Sequence, residues 1–260
     1  MGEKRQIFLE MSLSKFNLPE LSIIIHYRRD SEDREFNLNT IIRYLDDHFI
    51  LCDLTIVNDD KEYDKKLKGL KTIYNYVKIL YCENSDEFMK SYCFNQGAEH
   101  SNGKILAFWD VDVMIDPKHI QTAYDLIEEG KFDHIYPFNG TFIDVQKPLF
   151  LQLQEYNFTE LVNLWKIKDD DLHFASDSSP GGCNLISREA FERMRGYDDR
   201  FIGWGFEDTD FRERSNRVNR IKTIKSDDAI CWHLHHEQAK RMENPHFHRN
   251  MQIYNENTLK

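Results

Sequence analysis

No part of this 260-residue chain contains the roughly 18 consecutive uncharged apolar residues that a membrane-spanning helix needs, so the sequence predicts no bilayer span. Residues 1–20 mix charge with short apolar pieces and lack both the apolar core and the small-residue cleavage site of a secretory leader. Paired cysteines are missing too. Cys52, Cys82, Cys93, Cys183 and Cys231 are odd in number, scattered and never spaced as CxxC, which is how reduced, buried thiols are distributed. A cytoplasmic setting is therefore expected. Positive charge is in deficit, with 34 Lys and Arg against 45 Asp and Glu, and the net charge of −11 opposes nucleic acid or an anionic membrane as the main partner. No internal repeat, low-complexity tract or linker divides the chain, and 40% hydrophobic residues suffice for one large core.

What is present is an alternation of short apolar runs with longer amphipathic ones. Residues 21–26, 51–57, 72–80 and 104–109 read as strands, and 38–47 and 86–100 as helices between them. Asp116-Pro117 starts a further helix that runs through Ile120, Tyr124 and Ile127 to a stop at Gly130. Beyond it, 132–138, 183–186 and 230–234 read as strands, 148–165 and 206–218 as helices, and 168–180 as an acidic, Ser-rich loop able to cover a site. The pattern predicts one α/β domain over residues 1–260, with a mixed, mainly parallel central sheet flanked by helices.

Three segments carry chemistry. Gly203-Trp204-Gly205-Phe206-Glu207-Asp208 sets an indole between flexible glycines and ahead of two carboxylates, a combination that suits a sugar: the ring covers a C–H face and an acid takes a hydroxyl proton. A loop leading into an N-capped helix explains the acids equally well, but not the tryptophan. Asp110-Val111-Asp112 leaves the apolar run at 104–109 with both acids able to face one way. Such a pair can hold a divalent cation and a diphosphate, or be no more than solvated acid or a helix cap. Cys231-Trp232-His233-Leu234-His235-His236 ends a third run in three histidines, able to complete a metal site or to lie idle on the surface.

Taken in order, these segments resemble the GT-A glycosyltransferases, specifically the β-1,4-galactosyltransferase C-terminal motif and the bacterial chondroitin-polymerase-like members of the family-2 transferases. Ile23-Ile24-Ile25-His26-Tyr27-Arg28 is similar to the opening strand and nucleotide-contacting turn, and Ile56-Val57-Asn58-Asp59-Asp60 to the acidic turn near uracil. Asn95-Gln96-Gly97-Ala98 resembles the helix before the metal strand, and Asp110-Val111-Asp112 the DxD motif. Gly181-Gly182, Ser187, Phe191, Gly196-Tyr197 and the segment from Gly203 to Asp208 resemble the acceptor block, and His233-Leu234-His235-His236 the terminal histidine motif.

The resemblance implies a GT-A fold, with a nucleotide-sugar half over about 21–120 and an acceptor half over about 121–260. It implies inverting, metal-dependent transfer of a hexose or N-acetylhexosamine from a UDP-sugar to a saccharide hydroxyl. His26, Tyr27, Arg28, Asp59, Asn95, Asp110 and Val111 would contact the donor. Asp112 and His233 would bind Mn²⁺ or Mg²⁺, with Asp110, His235 and His236 as lesser candidates. Asp208 would be the base, ionised by its place near a helix N-terminus, while Trp204, Glu207 and Gly182 would meet the acceptor. Three departures from the pattern matter: Phe206 stands where the galactosyltransferase pattern has a third glycine, His26 where it has proline, and Asn58 at one position of the usual acidic pair, which assigns the uracil contact to Asp59. A sugar-phosphate nucleotidyltransferase is the rival enzyme, but no Gly-rich basic phosphate loop is present near the N-terminus. A glycan-binding module is the non-catalytic rival, and it would not need an Asp-x-Asp with distant histidines.

Overall fold

The computed structural model describes residues 15–51, 53–82, 87–151, 158–237 and 244–259. After a two-residue strand β1 (Phe16–Asn17), every residue of β2 (Leu21–Tyr27) is buried, as a strand covered on both faces must be. The helix expected over 38–47 begins earlier, as α1 (Glu32–His48). Ser31 caps it by accepting from the Arg34 N–H at 3.2 Å, and Glu32, Asp33 and Glu35 favour its first turn, a polar start that apolar spacing does not reveal. β3 (Phe49–Ile50) pairs with β1, and β4 (Asp53–Asn58) lies parallel to β2. The strand expected over 72–80 is shorter. Thr72 and Ile73 close helix α2 (Lys68–Ile73), and the strand is β5 (Val77–Tyr81).

α3 (Lys90–Glu99) starts later than the 86–100 reading, and Asp86 lies outside the described residues. β6 (Ile105–Asp110), β7 (Val113–Met114) and α4 (Pro117–Glu128) follow, the last capped by Asp116 and stopped at Gly130, where φ is +66°. β8 (His134–Tyr136) and β9 (Phe142–Val145) come next. The helix expected over 148–165 is two pieces, α5 (Lys147–Phe150) and α6 (Phe158–Lys166), with 152–157 outside the described residues. The predicted loop at 168–180 contains a strand, β10 (Leu172–Ser176), because its edge pairs with β9. β11 (Cys183–Ser187), α8 (Glu207–Val218) and β13 (Cys231–Leu234) match their runs, whereas α7 (Arg188–Arg193), β12 (Ile221–Thr223) and α9 (Phe247–Thr258) were not foreseen.

The central sheet has seven strands in the order β12-β8-β11-β6-β2-β4-β5. β2, β4, β5 and β6 are parallel, and β11 runs against both β6 and β8. Alternation along β2 divides the core: Ile23 and Ile25 join Trp109 and Trp232 in one cluster, while Ile24 joins Phe94, Phe108, Phe191, Tyr197 and Phe211 in the other. The second cluster lies under α3, which sits close on β2 because Gly97 has no Cβ; one there would be 2.3 Å from Ile24 Cγ2. A smaller sheet, β10-β9-β13-β7, stands beside the end of β6. Together these elements bring the chain's acids and histidines to one rim, at the carboxyl ends of the parallel strands. Cys82, Cys93, Cys183 and Cys231 are buried, free thiols. Among the described residues no helix is long and apolar enough to cross a membrane.

Candidate active site

Asp110 ends β6 and is locked to the turn before β11. Its N–H donates to the Gly182 carbonyl at 2.7 Å, and its Oδ2 accepts from the Gly182 N–H at 3.1 Å. Gly182 holds φ of +91°, and a Cβ there would lie 2.7 Å from Phe142 Cζ, so only glycine fits this approach.

Two residues on, Asp112 is 5% exposed and faces two imidazoles. His236 Nε2 lies 3.1 Å and His233 Nε2 3.8 Å from Asp112 Oδ2, and the two ring nitrogens are 3.2 Å apart. Arg34 Nη1 donates to the same oxygen. β13 sets the His233 ring, whose Nδ1 is 2.7 Å from Asp144 Oδ1 on the neighbouring β9, leaving Nε2 toward Asp112. Burial opposes ionisation of Asp112, but Arg34, His233 and His236 outweigh it and hold the carboxyl well below the usual range. His233 is raised in turn, since Asp112 and Asp144 overcome the burial that would lower it. Asp112, His233 and His236 offer ligand atoms within 4.8 Å of one another. One carboxylate with two imidazoles is a donor set that fits a divalent transition ion. His235 turns away, its Nε2 3.8 Å from Asp33 Oδ2.

The sequence reading missed the residue that ties the acids together. Lys90, the first residue of α3, is 7% exposed, with Nζ 2.8 Å from Asp110 Oδ1, 3.0 Å from Asp208 Oδ2 and 4.0 Å from Glu207 Oε1. Burial alone would lower its pKa; Asp110, Asp208 and Glu207 reverse that and raise it well above the ordinary value, so Lys90 stays charged. Asp208 lies in the first turn of α8, as expected, yet its pKa moves up and not down. Burial raises it, Lys90 pulls it back, and Asp110 adds to the rise. Glu207 is 4% exposed and is pushed up to about 7 by burial and then by Asp208. Its Oε2 accepts from the Gly205 N–H at 2.9 Å, so the carboxyl braces its own loop.

That loop presents Trp204, 46% exposed, between Gly203 at φ +69° and Gly205 at φ +125°. Phe206 follows at φ +73°, a left-handed conformation that costs a side chain about 1–2 kcal/mol, at the position where the galactosyltransferase pattern has glycine. Its ring packs 5.5 Å from Tyr254 and 5.4 Å from Phe247, both on α9. Asn250 of the same helix is fully buried and donates to the carbonyls of Ile202 at 2.8 Å and Gly205 at 3.3 Å. Gly203 N–H donates to the Phe88 carbonyl at 2.7 Å, joining the loop to the approach of α3.

On the far side of the rim, His26 Nε2 is 2.8 Å from Asp59 Oδ2, and this carboxylate also accepts from the Met89 N–H at 3.1 Å. Tyr27 and Val111 bury their side chains in the core, and Arg28 is half-buried beside them. Asn95 is drawn elsewhere. Its amide donates to the Tyr197 carbonyl at 2.9 Å and to Asp199, and accepts from the Tyr197 N–H at 2.9 Å, which makes it a strut between α3 and the turn at 196–199.

Comparison with known proteins gives the same architecture. The chain matches the family model "Glycosyltransferase like family 2" over residues 22–244. Its structure is similar to one described as "Crystal structure of GalNAc-T7 with UDP, GalNAc and Mn2+", with a TM-score of 0.63 at 12% sequence identity, over 91% of this chain and 48% of that one. The chain thus spans about half the length of that protein, and at this identity the likeness is one of GT-A fold. No curated protein matches in sequence. With the match covering residues 22–244, the chain belongs to the glycosyltransferase-like family 2 and is a glycosyltransferase of the GT-A fold.

Proposed function

We propose that the chain transfers a hexose or N-acetylhexosamine from a UDP-sugar to a hydroxyl of a saccharide acceptor, with inversion and with a divalent cation, Mn²⁺ or Mg²⁺. The observation that carries this reading is Lys90 Nζ lying 2.8 Å from Asp110 at the donor rim and 3.0 Å from Asp208 at the acceptor loop, which puts both sides of a transfer within one side chain's reach. The UDP, GalNAc and Mn²⁺ in the crystal of the structural neighbour support the donor class.

In this reading His26, Arg28 and Asp59, with the main chain at Tyr27, form the base and ribose side, and Asp110 with the main chain at Val111 meets the donor beyond it. Asp112, His233 and His236 hold the cation, which when bound neutralises the departing diphosphate. Trp204 stacks on the acceptor, and Gly182 keeps the floor low enough for it. Asp208 takes the acceptor's proton; its raised pKa makes it a better base than an ordinary aspartate, and Lys90 keeps it aimed and ionised. Glu207 acts on the acceptor through the loop it braces at Gly205. The donor half at about 21–120 and the acceptor half at about 121–260 meet along the β6–β11 pair.

The deciding experiment measures UDP release from UDP-GalNAc, UDP-GlcNAc, UDP-Gal and UDP-Glc over a panel of saccharides, with and without EDTA. The reading requires acceptor-stimulated release that EDTA stops and Mn²⁺ restores. Turnover untouched by EDTA removes the metal, and the absence of acceptor-stimulated release from all four UDP-sugars, with turnover of GDP- or CMP-sugars in a parallel assay of nucleotide release, removes the uridine assignment.

A further inference from the structure

Arg34 is drawn into the metal group by no motif. It stands in the first turn of α1, its side chain 20% exposed, with Nε 3.8 Å from Asp30 Oδ1 and Nη1 donating to Asp112 Oδ2. That oxygen also faces His236 Nε2 at 3.1 Å and His233 Nε2 at 3.8 Å. A cation held by Asp112 and the two imidazoles has to use the space where these three nitrogens converge, so it competes with a guanidinium for one oxygen.

Charge decides where the guanidinium goes. Asp112 and Arg34 alone are balanced. A divalent ion beside neutral imidazoles leaves two positive charges in excess, and a diphosphate carries the two negative charges that restore neutrality, provided Arg34 stays at the site. A guanidinium is also a planar fork that fits phosphate oxygens in pairs, which an ammonium is not.

We infer that Arg34 is an exchange residue: it opposes the divalent cation at Asp112 when nucleotide is absent, and it turns onto the donor's diphosphate when nucleotide is bound. Metal and nucleotide thereby strengthen each other's binding, because each removes the partner that Arg34 would otherwise hold. The inference rests on Asp112, His233 and His236 as the metal's ligands.

The test is binding, not turnover. Mn²⁺ affinity is measured by the electron paramagnetic resonance of free Mn²⁺, and UDP affinity by calorimetry at saturating Mn²⁺, for wild type, Arg34→Ala, Arg34→Gln and Asp112→Asn. The backbone N–H of residue 34 makes the Ser31 cap in every variant, and circular dichroism checks the fold. Without nucleotide, Arg34→Ala and Arg34→Gln should bind Mn²⁺ at least ~5-fold more tightly than wild type, and with Mn²⁺ present they should bind UDP at least ~5-fold more weakly, the lower end of ordinary coupling between sites. A residue that merely supports the fold would weaken both. Unchanged or weaker Mn²⁺ binding in both Arg34 variants, or unchanged UDP binding, overturns the exchange role while Asp112→Asn still loses Mn²⁺. If Asp112→Asn keeps wild-type Mn²⁺ affinity, the ligand assignment itself fails and the inference goes with it.

Discussion

Replacing Glu207 with glutamine should make the protein more stable at neutral pH, against the usual expectation for a buried group with a hydrogen-bond partner. The Glu207 carboxyl titrates at about 7 in the fold, against an ordinary 4.5, because burial and the neighbouring Asp208 charge disfavour its ionised form. A carboxyl raised in this way stabilises the fold below its unfolded value and stops doing so as pH rises through its folded value. The gap corresponds to about 3 kcal/mol, lost between pH 4.5 and 7. Glutamine keeps an oxygen for the Gly205 N–H and cannot ionise. Wild type and Glu207→Gln should therefore be nearly equal in urea denaturation near pH 4.5, with the variant ahead by about 3 kcal/mol at pH 8, roughly 1 M in midpoint for a chain of this size. Titrating groups remote from Glu207 cancel in the difference, whereas Asp208 and Lys90, which interact with its charge, respond to the substitution as part of the same cluster. A difference that does not change with pH, or a variant less stable throughout, would refute the argument that Glu207 is a neutral buried acid.

Asp208→Asn should lower turnover by about two to four orders of magnitude while leaving UDP affinity unchanged, as single-turnover assays with saturating acceptor would show; a loss within about threefold means the base is elsewhere. His233→Ala and His236→Ala should each weaken Mn²⁺ by at least about tenfold, and Asp144→Asn by about 10–100-fold because it orients His233, whereas His235→Ala should change little in the same titration. Equal effects at all three histidines would undo the geometry at Asp112. Asn250→Ala removes three side-chain hydrogen bonds behind the Trp204 loop, and acceptor KM should rise by about 5–100-fold with acceptor-free hydrolysis of the UDP-sugar unchanged. A parallel fall in both reactions would show that α9 supports the whole fold and not the loop.

The parts legible in the sequence were those set by local pattern. β2, β6, β11 and β13 announce themselves as apolar runs, and Asp116-Pro117 gives the α4 start by its own chemistry. The rest depended on partners distant in the chain. β10 forms because β9 offers an edge, and β12 because β8 does, neither of which a local window contains. Strand alternation would place His235 on the His233 face, but the strand ends at Leu234, so the chain turns and brings back His236. Asn95 follows Lys90 by five residues, about 140° around a helix, so the motif and the buried lysine face different ways. The helix N-terminus argued for an acidic Asp208; burial, a tertiary effect, reversed the direction.

The reversed strand β11 has a consequence for how the chain is made. β6 lies between β2 and β11, and its backbone donors and acceptors along Ile105 to Trp109 are paired on both sides only when both neighbours are in place. β2 is synthesised earlier, but Cys183–Ser187 emerges well after Asp110, a delay on the order of ten seconds at ordinary translation rates. For that interval the growing chain displays an apolar strand with an open row of backbone donors and acceptors, the template on which other chains pair. Yield of soluble protein should therefore be governed by protection of one edge, Ile105–Asp110, during synthesis.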